Sequence, residues 1–356
     1  MSAKSVRIKD IAQLSGVSVG TVDRVLHNRG KVSEEALKKV LSVLDQIDYK
    51  PNVIARTLGS NKTYSIAALM PDPDQDPYWA SSMSGLEQAQ NEWLRYGLHV
   101  IPYFFNLYDK GSFTAVADTA TAAHPDGILI APIFYHETLP YFSRFEALGI
   151  PCVLFNTQIE EAASLSFIGQ DLYQSGRIGG ELMDMALRGT AGSVAVLHLN
   201  EDLENSVHLA KKEQGFREYF DRQADHHIEI TTLNLYNPSD SAFTVQLENL
   251  LSDQSLKGIF VSTSKATYVI AEFLERHKGR DIKLIGYDML KENIRYMKQG
   301  VIHFLINQNP KRQAFLGIQH LVSHLILKKL TPQRELLPLE IISPENIDSY
   351  INSAVF

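Results

Sequence analysis

The chain has 356 residues, 44 % of them hydrophobic and 21 % charged, which is too long for one ordinary domain and has the profile of a soluble globular protein with ample core. Its one cysteine, Cys152 in the strand-like run GIPCVLFN, rules out an internal disulfide, and no clustering of Cys and His suggests a zinc site or any other metal. The net charge of −7 argues against a polyanionic partner, yet residues 1–60 hold ten Lys/Arg against six Asp/Glu while the remainder holds 24 against 35. The first ten residues already contain Lys4, Arg7, Lys9 and Asp10, so they lack the apolar core of a signal peptide. No window reaches the roughly 18 uninterrupted apolar residues of a membrane span. The expectation is a cytoplasmic protein, associated with the nucleoid if the basic end meets DNA.

In chain order, Ile8, Ile11, Ala12 and Leu14 put an apolar stripe on a first short helix, and Gly16 permits the tight, left-handed backbone of a helix end. Ser18 is placed to cap a second helix with Val22, Val25 and Leu26 inward, leaving Val19, Gly20, Thr21 and Arg24 outward. After the loop HNRGKV, Ser33 caps a third helix with Glu34 and Glu35 in its first turn; Val40, Val43, Leu44 and Ile47 close a three-helix core. The alternative is a generic helical bundle. Against it stands the second helix, short and exposing small residues with one Arg. Entry into the major groove needs small residues for close approach and an Arg for bidentate bonds to guanine. Thr21, Arg29, Lys31 and Ser33 lie where phosphate contacts would position that helix.

The run IKDIAQLSGVSVGTVDRVL, followed by KVSEEALKKVLSVLDQIDYKPNVIARTLGSNKT, resembles the headpiece and hinge of the LacI/GalR family of bacterial transcription regulators. The resemblance spans about the first sixty residues almost without gaps. It implies that Val19 and Gly20 read operator bases, that Arg24 is the base-reading Arg, and that Ser18, Thr21, His27, Lys31 and Ser33 meet phosphates or the groove edge. In the hinge-like stretch PNVIARTLGSNKT, Asn52 caps a short helix with a face of Ile54, Ala55 and Leu58. In the family two such helices, one per subunit, enter the minor groove of a palindrome, and the Leu at the position of Leu58 wedges between base pairs. A helix this short folds only on DNA beside its dimer mate. Some positions depart from the pattern: Arg7 replaces a capping Thr, Asp23 a Ser, Gly20 a longer reading side chain, and Gly59 an Ala.

From Tyr64 the texture changes. SIAALMP, LHVIPYF, GILIAPI, CVLFN, SVAVLHL, GIFVST and KLIGYD are short apolar runs of the buried parallel-strand kind, alternating with helical patterns. Such alternation predicts doubly wound parallel sheets, with ligands beyond the carboxyl ends of strands, and the length suits two sheets with a cleft between them. No GxGxxG follows the first strand, and neither GxxxxGK[ST] nor GxSxG occurs; GRIGG lies within a helical pattern. The carboxylates of PDPDQDP fit no EF-hand. No cofactor and no enzymatic activity is expected.

This part is similar to the effector-binding core of the same family and to type I periplasmic sugar-binding proteins. The likeness rests on DPYWASSMSGLEQA, IPCVLFN, FIGQDLYQSGRIGG, KKEQGF, KLIGYD and INQNPKRQAFLG. It implies that Tyr78 and Trp79 sandwich a sugar ring, with Asp76 before them as a polar contact. It further implies hydroxyl contacts from Asn156, Asp288 and Gln308, a grip from Lys212 where relatives use Arg, and crossover positions at Gln170 and Asp171. Thr263 and Ser264 stand where many relatives carry an Asn-Asp pair. A sugar, sugar acid, sugar phosphate or cyclitol each remains open as effector.

The reading is a small all-α helix-turn-helix headpiece (1–50), a hinge (51–63), and an α/β core (64–356) of two doubly wound parallel-sheet subdomains of the type I periplasmic-binding kind. The first subdomain is taken as about 64–168 plus 309–328, the second as about 169–308 plus 329–356. The expected function is a repressor that binds a palindromic double-stranded DNA operator as a homodimer under control of a small carbohydrate. A sugar receptor for transport would lack the headpiece, and a carbohydrate-acting enzyme would need a nucleophile–base pair or phosphate loop. A protein corepressor, used by some relatives, finds no support in the residues.

Overall fold

In the computed structural model of the chain, the described residues are 7–26, 30–47, 62–201, 203–222, 228–277 and 280–352. The chain forms two compact units, Met1–Gly59 and Ser60–Phe356. In the first, helices α1 (Ile8–Ser15), α2 (Val19–Leu26) and α3 (Glu34–Gln46) close over Ile11, Ala12, Val22, Val40 and Val43. Gly16 ends α1 in the left-handed region at φ 66°. Ser18 Oγ accepts from Thr21 N–H at 3.1 Å and Ser33 Oγ from Ala36 N–H at 3.4 Å, so both are N-caps. Arg7 offers no side-chain cap, but half of a capping box survives: Arg7 N–H donates to Asp10 Oδ2 at 2.8 Å.

One residue of the expected apolar stripe is misplaced. Leu14 is 61 % exposed, and Ser15 is buried in its stead, its hydroxyl donating to Ile11 O at 2.6 Å. At 100° per residue Ile8, Ile11, Ala12 and Ser15 share one side of α1, and Leu14 falls off its edge.

The second unit has two lobes. The first is built from β1 (Tyr64–Pro71), α4 (Pro77–Trp93), β2 (Leu98–Phe105), α5 (Lys110–Ala122), β3 (Gly127–Ile130), α6 (Tyr135–Ala147), β4 (Cys152–Asn156) and β5 (Ser166–Gly169). The chain then crosses into α7 (Leu172–Leu187), β6 (Gly192–Leu199), α8 (Val207–Asp221), β7 (Ile228–Leu235), α9 (Ser241–Ser252), β8 (Leu256–Val261), α10 (Ser264–Arg276), β9 (Lys283–Tyr287), α11 (Lys291–Lys298) and β10 (Phe304–Asn307). It returns for α12 (Pro310–Leu325) and β11 (Arg334–Leu336), and crosses again to β12 (Glu340–Ile342) and α13 (Ile347–Ile351).

The sheet orders are β11-β5-β4-β3-β1-β2 and β12-β10-β9-β8-β6-β7, so the lobes repeat one topology. All pairings are parallel except β10 with β12. The third crossing comes later than the sequence reading placed it. Residues 334–336 pair with Phe167–Gly169 of the first sheet rather than joining the second lobe, because a short exposed edge strand carries little apolar signal. In each sheet the order reverses beside its first strand, between β1 and β3 and between β6 and β8, and loops at those carboxyl ends diverge to leave a crevice. The α7–α8 packing matters for what lines it. A Cβ on Gly176 would stand 1.9 Å from Lys212 O, and one on Gly215 2.0 Å from Tyr173 O. Two glycines thus let these backbones touch, and that contact fixes the turn of α8 that carries Lys212.

Candidate functional site

A crevice open to solvent lies between the lobes. From the first lobe it is lined by Asp76, Tyr78 and Trp79 at the start of α4, by Leu107 and Ile133 after β2 and β3, and by Asn156 at the end of β4. From the second come Glu201 after β6, His208 and Lys212 on α8, and Thr263 and Ser264 after β8; Gln308 lies at the crossing after β10. Nearly all follow the carboxyl end of a parallel strand, as the topology requires.

Asp76 caps α4, its Oδ1 accepting from Tyr78 N–H at 3.0 Å. Burial pushes its carboxyl up to about 6 against the lowering effect of that bond and of Lys265. Tyr78 and Trp79 meet edge to face at 4.9 Å, and Trp79 rests on Phe155 at 6.0 Å. Trp79 is therefore both core and wall. Asn156, at φ 69°, donates from Nδ2 to Tyr78 Oη at 2.6 Å and accepts from Thr157 Oγ1 at 3.0 Å. That leaves the Tyr78 hydroxyl hydrogen free to donate into the crevice.

Opposite, the Lys212 ammonium donates to Ser262 O at 2.9 Å and sits 3.7 Å over the Tyr287 ring. Burial lowers its pKa to about 8, outweighing attraction to Asp288 and Glu201. Asp288, at φ 61°, accepts at Oδ1 from Gln308 N–H and at Oδ2 from Gln308 Nε2, both at 2.7 Å, and also from the Ser264 hydroxyl. It stands behind Gln308 and Ser264 and holds them in place. Burial raises its carboxyl above the ordinary range in spite of those bonds. His208 Nε2 lies 2.9 Å from Glu201 Oε2. Burial pushes Glu201 up, and pairing with His208 brings it below the ordinary carboxylate value.

Of the sequence-predicted residues, the structure thus gathers Asp76, Tyr78, Trp79, Asn156, Lys212, Thr263 and Gln308 around one cavity, with Asp288 directly behind. Gln170 and Asp171 lie elsewhere. Gln170 Nε2 donates to Asn307 O at 2.9 Å and Pro338 O at 2.7 Å, and Asp171 caps α7 through Gln174 N–H at 3.0 Å. Both serve the crossings, whose backbone groups need partners where the chain leaves one sheet for the other. Sequence reading missed Glu201, His208, Leu107 and Ile133; for Glu201, Leu107 and Ile133 the signal available was their place just past the ends of apolar runs. Among the described residues no group of His, Cys, Asp and Glu is placed to hold a metal ion, and no helix is long and apolar enough to cross a membrane.

On the headpiece, Ser18, Val19, Gly20, Arg24, Lys31 and Ser33 are exposed and Thr21 is half-buried. The Thr21 hydroxyl lies 2.9 Å from Ser18 Oγ, and Arg24 Nε donates to Gly20 O at 3.1 Å, which lays the guanidinium stem along the outer face of α2. His27, Asn52, Ala55 and Leu58 lie outside the described residues.

A three-helix unit with an exposed second helix, in one chain with a two-lobed core that closes on a polar and aromatic crevice, defines a DNA-binding regulator with a ligand-binding core. Residues 7–52 match the profile of bacterial regulatory proteins, lacI family, and residues 66–329 that of a periplasmic binding protein domain. The chain thus joins a lacI-family DNA-binding domain to a core that belongs to the periplasmic binding protein domain family. It is 25 % identical over 355 residues to the sucrose operon repressor of Streptococcus mutans, covering 96 % of this chain and 99 % of that one. It is 26 % identical to the ribose operon repressor of Bacillus subtilis, covering 80 % and 82 %. A crystal structure described as a LacI transcriptional regulator from Bacteroides fragilis superposes with a TM-score of 0.75 at 29 % identity, covering 81 % of this chain and all of that one. These relatives are transcription regulators, not enzymes.

Proposed function

We propose that this regulator is a repressor that binds a palindromic operator as a homodimer and is controlled by a small uncharged carbohydrate held between the lobes. The observation that carries the effector reading is the crevice itself: Trp79 and Tyr78 line it beside Asp76, Asn156, Gln308 and Lys212, an aromatic and polar wall suited to a polyol, although the two rings meet edge to face and so do not sandwich a sugar between them. Its charge balance disfavours an anion. Asp76 and Glu201 line it with Lys212 and His208, Asp288 stands directly behind, and the Lys212 ammonium is committed to Ser262 O and the Tyr287 ring. Of the four effector classes left open by sequence, a neutral sugar or cyclitol therefore fits better than a sugar acid or phosphate.

In this reading Val19, Gly20 and Arg24 read bases while Ser18, Thr21, His27, Lys31 and Ser33 position the headpiece on phosphates. Asn52, Ala55 and Leu58 belong to a hinge that enters the minor groove. Effector acts only through its different affinities for the DNA-competent and incompetent states. The relatives named for sucrose and ribose operons support both the repressor role and a carbohydrate effector. Two measurements test it. Footprinting on DNA near its own gene is expected to protect a palindrome whose occupancy changes with one sugar; no protected palindrome under any condition would refute the operator reading. In a thermal-shift screen, a neutral sugar at 100 times its dissociation constant is expected to add about 2.7 kcal/mol. Stabilisation by sugar phosphates alone would refute the effector class.

A further inference from the structure

Helix α6 begins without a cap of its own. Phe134 stands at its N-cap position and supplies no side-chain acceptor, so the first N–H groups of the helix need other partners. They find them in the opposite lobe. Tyr135 N–H donates to Asn205 O at 3.1 Å, His136 N–H donates to Asn205 Oδ1 at 2.9 Å, and Asn205 Nδ2 donates to Glu137 Oε2 at 2.7 Å. Glu137 is the third residue of α6, so the set is a capping box whose capping residue comes from across the crevice. Asn205 is 5 % exposed. By contrast, the side chains of another contact between the lobes, Lys211 with Glu160, are 36 % and 73 % exposed.

Asn205 sits in the loop from β6 to α8 that also carries Glu201 into the cavity, and Ser206 Oγ donates to Glu201 Oε2 at 3.4 Å. One short loop thus holds a cavity wall at one end and the clasp on α6 at the other. Opening the crevice pulls the two halves of the capping box apart, since they belong to different lobes.

We propose that Asn205 is a positioning residue for effector binding: it caps α6 in trans only when the lobes are shut, and so sets Glu201 against the ligand and biases the core towards closure. The inference rests on reading the crevice as the effector site, but its test uses neither effector nor DNA. The chain has two tryptophans, so Trp93→Phe leaves Trp79 as the sole reporter in the crevice. In that full-length background, acrylamide quenching of Trp79 and hydrogen exchange at the Tyr135 and His136 amides are followed for Asn205→Ala, Asn205→Asp, and Asn205→Asp combined with Glu137→Gln.

Asn205→Ala is expected to raise the open-to-closed ratio about fivefold, the factor that corresponds to one cap of ~1 kcal/mol, with faster exchange at both amides. Asn205→Asp sets a second carboxylate against Glu137 and is expected to do at least as much. Adding Glu137→Gln restores a donor–acceptor pair in the reverse sense and should return both readouts towards wild type. Unchanged quenching in Asn205→Ala, or no rescue by Glu137→Gln, overturns the proposal. A core that behaves as expected here yet binds no sugar would instead refute the effector reading.

Discussion

Replacing Lys212 by Met should make the core more stable at neutral pH. The side chain is 1 % exposed, and its pKa falls from 10.5 to about 8 because burial penalises the ammonium more than Asp288 and Glu201 favour it. A displacement of that size corresponds to about 3 kcal/mol of unfavourable charging in the folded core at pH 7. Loss of the bond to Ser262 O returns about 1 kcal/mol, so Lys212→Met is expected to gain about 2 kcal/mol at that pH. The folded core holds this proton less tightly than the unfolded chain does. Between pH 8 and 10.5 the unfolded chain therefore binds more protons, and wild-type stability rises with pH through that window. By pH 9.5 most of the penalty has gone, and the two proteins should be nearly level. Urea unfolding followed by tryptophan fluorescence at pH 7 and 9.5 measures this, and effects of other groups that titrate there cancel in the difference. A variant less stable than wild type at pH 7, or a gap that does not narrow by pH 9.5, would refute the reasoning.

Four further outcomes are expected. Asp76, whose pKa is raised to about 6, holds a proton in the folded core between pH 3.8 and 6 that the unfolded chain has lost, so it contributes stability that fades as pH rises through that window. Asp76→Asn should remove about 2 kcal/mol of that dependence between pH 4 and pH 7, read as the change in unfolding free energy from urea titrations at the two pH values; equal pH dependence in both proteins would contradict it. Gly176→Ala drives a Cβ to 1.9 Å from Lys212 O and should cost at least about 2 kcal/mol, whereas at Gly20 the nearest atom is Ser18 Oγ at 3.9 Å. Gly20→Ala should instead stabilise the headpiece by up to ~1 kcal/mol in a circular-dichroism melt, with a lower melting temperature as the contrary result. Arg24→Ala should weaken binding to an operator selected from random DNA at least about tenfold, read by fluorescence anisotropy, and unchanged affinity would remove Arg24 from the reading set.

What the sequence made legible was whatever local chemistry decides. Gly16, Ser18 and Ser33 have one good use each at a helix end, and they were found in it. The apolar runs in the core matched strands because a parallel sheet covered on both faces leaves them no polar alternation. Leu14 was misjudged because a stripe drawn over eight residues tolerates an outlier until the helix is wound. The site was less legible, for a reason of topology. Glu201 and His208 meet only because β6 ends where α8 begins to face the other lobe, and their own spacing spells no motif. Gln170 looked like a ligand contact by its place at a crossing, and only the carbonyls of Asn307 and Pro338 reveal what its amide does. Asn205 was invisible for the same reason, since a cap supplied by another lobe leaves no trace beside the helix it serves.

The amide of Gln170 belongs to one crossing strand and donates to carbonyls of the other two, which makes it a pin through the three strands that join the lobes. Strands pinned at a point cannot slide past one another, so relative motion of the lobes is restricted to rotation about that point. Displacement in a rotation grows with distance from its axis. The cavity lies at the carboxyl ends of the strands, whereas the chain enters the first lobe at Tyr64, the opposite end of β1. Rotation about that point therefore turns the whole lobe, so a change in the width of the crevice also moves the end of β1 at Tyr64.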